Sequence, residues 1–130
     1  MNKINEENYV EEAEKAIEIL KSRKDKRGRD IEMVTTSKIR NLLAMTMDIY
    51  NQILEEEEGP LRDEIKGRVE YLRVRFIYEA GREKKVKYFT EVSKTIDILK
   101  EISEKKDYLL FTRYMESLVS FHRYLGGKDM

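Results

Sequence analysis

Apolar residues recur at steps of three and four along almost the whole chain, the period of helices with one buried face. The first stripe is Tyr9, Ala13, Ala16, Ile17 and Leu20, and predicts a helix from about Asn5 to Lys21. The second is Ile39, Leu42, Leu43, Thr46, Tyr50, Ile53 and Leu54. Thr35 or Thr36 is its expected N-cap; with Thr35 as the cap, Val34 and Ile39 form the apolar pair that clasps the start. It runs into Glu55-Glu56-Glu57-Glu58 and Gly59-Pro60. Four glutamates oppose the dipole at a helix C-terminus, so a frayed, solvated end is expected. Pro60 suits the first turn of a third helix, whose stripe is Ile65, Val69, Leu72 and Phe76, with Ile77 and Ala80 alongside. Gly81 either ends that helix or lets another pack closely. A fourth runs from about Lys84 to Lys105 through Val86, Phe89, Val92, Ile96, Leu99 and Ile102. Asp107 is the expected cap of a fifth, carrying Tyr108, Phe111, Thr112, Met115, Leu118, Val119, His122 and Leu125. Gly126-Gly127 is its stop signal. The pattern predicts an all-α fold, a compact bundle of about five helices.

Composition narrows this. At 130 residues and 15.6 kDa the chain is the size of one domain, read as an acidic N-terminal helix (1–23), a basic linker (24–34) and a core bundle (35–125). The linker is expected to be mobile, because between Lys21 and Arg29 it holds six basic residues and no apolar one. There is no Cys and only one His, which excludes disulfides, thiolate metal sites and multi-histidine metal centres. Six scattered glycines form no phosphate-binding loop, and no cofactor is expected. No apolar run approaches the length of a membrane span and the N-terminus carries no apolar signal region, so a cytoplasmic protein without a membrane partner is expected.

Charge balances overall, 26 basic against 26 acidic residues, but not locally. From Arg62 to Lys87 nine basic residues face five acidic ones. Arg68, Arg75 and Arg82 are spaced by seven, which places them along one edge of a continuous helix. One heptad rises about 10.5 Å, close to three nucleotide rises. Arginine stays charged and binds phosphate with two parallel hydrogen bonds, so such a row suits a nucleic-acid backbone. The competing reading is a solvated face whose arginines pair with nearby glutamates. Tyr71, Tyr78, Tyr88 and Tyr114 lie among basic residues, but their helical spacing favours core packing over base stacking. His122 falls on an apolar stripe and is read as structural: neither Arg113 nor Arg123 is spaced to share a phosphate with it. The glutamate run, followed by Asp63 and Glu64, has no second acidic motif to complete a magnesium site. An enzyme is therefore not expected.

Three blocks carry a resemblance: Thr35 to Arg40, Leu72 to Arg82, and Phe111 to Val119 followed by His122 to Lys128. In order and spacing they resemble the small helical subunit of type III-A CRISPR (Csm) interference complexes, over about residues 34 to 128. The resemblance implies a helical bundle without catalytic activity, stacked in copies along a ribonucleoprotein filament beside other subunits. It also implies contact with guide RNA and the target RNA paired to it, without sequence preference. Residue by residue it supports Lys38 and Arg40, the pair Arg73 and Arg75, and Arg82 as RNA contacts; Arg68 joins them from the heptad spacing. A guide–target duplex differs with every guide, so a protein holding it must contact backbone and shape rather than bases. The alternative is a helical adaptor that binds only protein. Arginines standing clear of carboxylates favour RNA; arginines each paired with a carboxylate favour the adaptor.

Overall fold

The computed structural model describes residues 4–129. They form seven helices: α1 (Tyr9–Lys21), α2 (Thr36–Met47), α3 (Tyr50–Leu54), α4 (Asp63–Arg82), α5 (Lys84–Ser93), α6 (Thr95–Glu101) and α7 (Lys105–Tyr124). Among the described residues there is no strand, only isolated antiparallel bridges at Lys24–Asp30 and Pro60–Glu104. The all-α class stands, but periodicity gives about five helices where the described residues form seven.

Both extra breaks have the same cause. α7 runs through the middle of the bundle, packed on α1, α2 and α3. Two of its buried tyrosines reach backbone carbonyls in neighbouring helices. The Tyr108 hydroxyl donates to the Thr46 carbonyl at 2.6 Å. That carbonyl is the acceptor Tyr50 would use if α2 continued. The Thr46 hydroxyl also bonds back to the Leu42 carbonyl at 2.9 Å, a contact that bends helices. The Tyr114 hydroxyl donates to the Ser93 carbonyl at 2.8 Å, and the next residue, Lys94, turns left-handed at φ 61°. Thus α2 stops before α3, and α5 before α6. Burial pushes both tyrosine hydroxyls well above their ordinary pKa, so they remain donors.

α4 packs on α5, α6 and α2, and α1 also meets α5. The core joins these layers through aromatic rings: Phe111 of α7 is tilted against Phe76 of α4 at 6.2 Å and against Tyr108 at 6.3 Å.

Several boundaries differ from expectation. α4 begins at Asp63 rather than at Pro60, because Gly59–Leu61 pairs instead with the segment before α7. Leu61 donates to the Ser103 carbonyl and Lys105 to the Gly59 carbonyl, each at 3.0 Å. α7 begins two residues before Asp107. The Asp107 carboxylate reaches back to accept the Ser103 and Glu104 N–H groups at 3.2 and 3.1 Å. Gly81 neither ends α4 nor permits a close crossing, since a Cβ there would meet nothing. The chain becomes extended at Glu83. Of the two candidate caps it is Thr35 that caps α2, and the C-terminal segment adds two acceptors, the Lys128 carbonyl for Thr36 N–H and the Asp129 carbonyl for Ser37 N–H.

The glutamate run is not uniformly solvated. Glu56 is buried, and accepts from the Arg62 backbone N–H at 3.1 Å and from Arg62 Nε at 2.8 Å. Lys105 donates to the Leu54 and Glu56 carbonyls, satisfying the end of α3. The Arg62 N–H, reinforced by its guanidinium, holds the Glu56 carboxyl below its ordinary pKa against the opposing effect of burial. The basic segment after α1 folds into a reversal. Asp25 accepts the N–H groups of Arg27 and Arg29, Gly28 turns at φ +80°, and the Arg23 guanidinium covers the Tyr88 ring at 3.8 Å.

Candidate nucleic-acid interface

α4 buries Ile65, Val69, Leu72, Phe76 and Ala80, which fixes where its other residues face. α2 runs antiparallel beside it. Lys38 at the start of α2 meets Glu83 just beyond the end of α4 at 3.5 Å, and Asp48 at the end of α2 meets Arg75 at 3.6 Å. Because α4 continues to Arg82, the heptad row Arg68, Arg75, Arg82 is unbroken and lies exposed. It drifts by only about 20° per heptad. Lys38 stands near its far end.

The structure does not bring all six basic candidates together. Arg73 and Arg75 are two positions apart on a helix, roughly 200° around the axis, so they occupy opposite flanks. Arg73 is the most enclosed of the arginines in this set, its side chain 26% exposed, and donates to Glu70 through Nε and Nη2 at 3.3 and 3.1 Å. Arg40 is likewise turned away from Lys38 and lines a groove with Arg123 and Tyr124 of α7.

Each arginine of α4's candidate set has a carboxylate nearby: Arg68 with Glu64 at 3.9 Å, Arg73 with Glu70 at 3.1 Å, Arg75 with Asp48 at 3.6 Å and Arg82 with Glu79 at 3.3 Å. This is the arrangement that favours a protein adaptor. The pairs differ in strength, however. Those of Arg68 and Arg75 are too long for hydrogen bonds, and such exposed pairs contribute about 0–1 kcal/mol.

The outer face of α4 holds a second feature. Tyr71 is 65% exposed and Tyr78 63% exposed, with Val74 and Ile77 also facing outward. The expectation of core packing therefore fails for Tyr71 and Tyr78, and Ile77 does not join the buried stripe. Tyr114 is buried as expected. The signal was in the stripe itself: once residues 65, 69, 72 and 76 face inward, positions 71, 74 and 78 must face outward. Arg82 stands over the Tyr78 ring at 5.6 Å.

His122 is fully buried and occupied structurally. Its Nε2 lies 2.6 Å from the Val34 carbonyl, so this nitrogen carries the proton, and Nδ1 accepts from the Thr36 hydroxyl at 3.2 Å. Burial lowers its pKa, against the raising effect of the Val34 bond. Among the described residues no group of three or more His, Asp or Glu side chains is placed to hold a metal ion. No described helix is long and apolar enough to cross a membrane.

Comparison with known proteins places this sequence in a family. The profile of the family described as Csm2 type III-A matches residues 13–128. The chain is 41% identical to the CRISPR system Cms protein Csm2 of Streptococcus thermophilus over 126 residues, covering 97% of this chain and 98% of the relative. It is 37% identical to the Csm2 protein of Mycobacterium tuberculosis (95% and 96% covered) and 35% identical to that of Enterococcus italicus (90% and 89% covered). The family match reaches back to Ala13, so most of α1 and the whole basic reversal fall within it, beyond the stretch from residue 34 on which the resemblance rests. The chain belongs to the Csm2 family of type III-A CRISPR systems.

Proposed function

We propose that the protein is a non-catalytic small subunit of a type III-A CRISPR (Csm) effector complex. It packs along the filament with other subunits and further copies of itself, and holds the duplex of guide and target RNA by its backbone. The observation that carries this reading is the unbroken row Arg68, Arg75, Arg82 on one edge of a 20-residue helix, with Lys38 close to its end. A rigid helix presents these charges at a fixed spacing, as recognition by shape and phosphate requires. Phosphate competes well for Arg68 and Arg75, because charge-assisted bonds to it are strong and their present partners Glu64 and Asp48 are exposed, whereas Arg82 holds the half-buried Glu79 more closely. Arg40 and Arg73 lie off this row and contribute less. The zero net charge keeps the free subunit from binding any RNA tightly, whereas aligned copies add their rows together.

The second reading, an adaptor that binds only protein, is favoured by the carboxylate beside each of these arginines. Purification of the tagged protein from cells that make the whole system separates the two. Short guide RNA and the other subunits are expected to accompany it, and the RNA to be lost first when Arg68, Arg75 and Arg82 are replaced together by Ala. Recovery with protein partners but no RNA supports the adaptor instead.

A further inference from the structure

Between the end of α2 and the middle of α4 lies a groove of about 470 Å³, lined by Met45, Ile49, Gly67, Arg68, Tyr71 and Arg75 among others. We infer that this groove is a subsite for one unpaired nucleotide of RNA, with Tyr71 stacking on the base and Arg68 and Arg75 holding phosphates of the strand that carries it. This rests on the RNA-holding reading above and adds a specific ligand to it.

Three observations converge. Tyr71 leaves 65% of its surface in water, an unusual position for a large ring that the fold does not need there. Gly67 sits one turn earlier in the interior of α4, where glycine weakens a helix. Packing does not require it, since an added Cβ would meet nothing within 4 Å. Its missing side chain keeps the wall beside Tyr71 open, with the apolar side chains of Met45 and Ile49 opposite. The two arginines at the groove are those held most loosely: Glu64 stands 3.9 Å from Arg68 and Asp48 stands 3.6 Å from Arg75, both carboxylates lining the groove and exposed, so phosphate has to displace an ion pair but no hydrogen bond. An aromatic face flanked by cations is the chemistry that binds a base and its backbone together. The base must be unpaired. Within an A-form duplex both faces of each base are covered by neighbours, and only edges are displayed.

The test uses the purified full chain and two RNA duplexes, one fully paired and one identical but for a single bulged nucleotide, read by fluorescence anisotropy. Wild type is expected to prefer the bulged duplex by roughly tenfold, the size of one base–aromatic stack. Tyr71→Ala removes the preference while leaving affinity for the paired duplex nearly unchanged; Tyr71→Phe keeps it. Gly67→Leu fills the groove and removes the preference too, with a melting temperature at or above that of wild type, so loss of folding does not account for the effect. Equal binding of both duplexes by wild type, or a preference that survives Tyr71→Ala, overturns the subsite while leaving the RNA reading intact. Binding of neither duplex overturns the RNA reading, and the subsite with it.

Discussion

His122 ties the C-terminal end of the chain to the start of α2, and its surroundings make two predictions. Its ring lies against Gly127: a Cβ at that position would come within 2.1 Å of the ring and 2.6 Å of the His122 carbonyl. Gly127→Ala should therefore destabilise the protein by about 2 kcal/mol, read as a lowered denaturation midpoint. The second prediction concerns pH. The folded state lowers the pKa of His122, mainly by burial, whereas the unfolded chain titrates near 6.5. Stability from this group is fully present above pH 6.5 and is lost as pH falls below it, because only the unfolded chain then takes up the proton readily. Denaturant midpoints at pH 7.5 and 5.5 should show a fall that His122→Gln flattens. The chain's single histidine makes this comparison clean. Its place on an apolar stripe was readable from spacing alone. Its partners were not, for Val34 and Thr36 lie 88 and 86 residues away. Glu56 teaches the same lesson: four consecutive glutamates look alike, and only the approach of Arg62 and Lys105 singles one out.

At the level of the element, periodicity located every buried stripe but not the places where helices stop. Apolar spacing continues across Thr46–Tyr50 and across Ser93–Ile96, so the pattern alone predicts unbroken helices. The breaks are imposed from α7, by tyrosine hydroxyls that take the carbonyls of Thr46 and Ser93. The second break leaves Lys94 in the left-handed region, where a side chain costs about 1 kcal/mol and glycine nothing comparable. Lys94→Gly should raise the melting temperature by a few degrees, and Lys94→Val should lower it. Within α4 the opposite substitution applies: Gly67→Ala should stabilise by about 1 kcal/mol, because its Cβ meets nothing and alanine favours the helix. The arginine row was legible at this scale, since heptad spacing depends only on helix geometry. The carboxylates beside Arg75 and Lys38 were not, because Asp48 and Glu83 reach them across helices or from beyond the end of α4.

Over the whole molecule, zero net charge conceals separated faces. α1 carries Glu11, Glu12, Glu14 and Glu18 in its first three turns, while the following reversal and one edge of α4 are basic. Separated faces of this kind suit a subunit that meets protein on one side and phosphate on another. The central claim is that the Arg68, Arg75, Arg82 row holds RNA by its backbone, without reading sequence. Its most direct test is the salt dependence of binding by the purified protein to two paired RNA duplexes of unrelated sequence. The log–log slope should be roughly −2 to −4 on both, the mark of a few phosphate contacts, and each arginine of the row replaced by Ala should reduce it by about 1 while the melting temperature stays near wild type. A slope near zero, or a strong preference for one of the two sequences, contradicts the account.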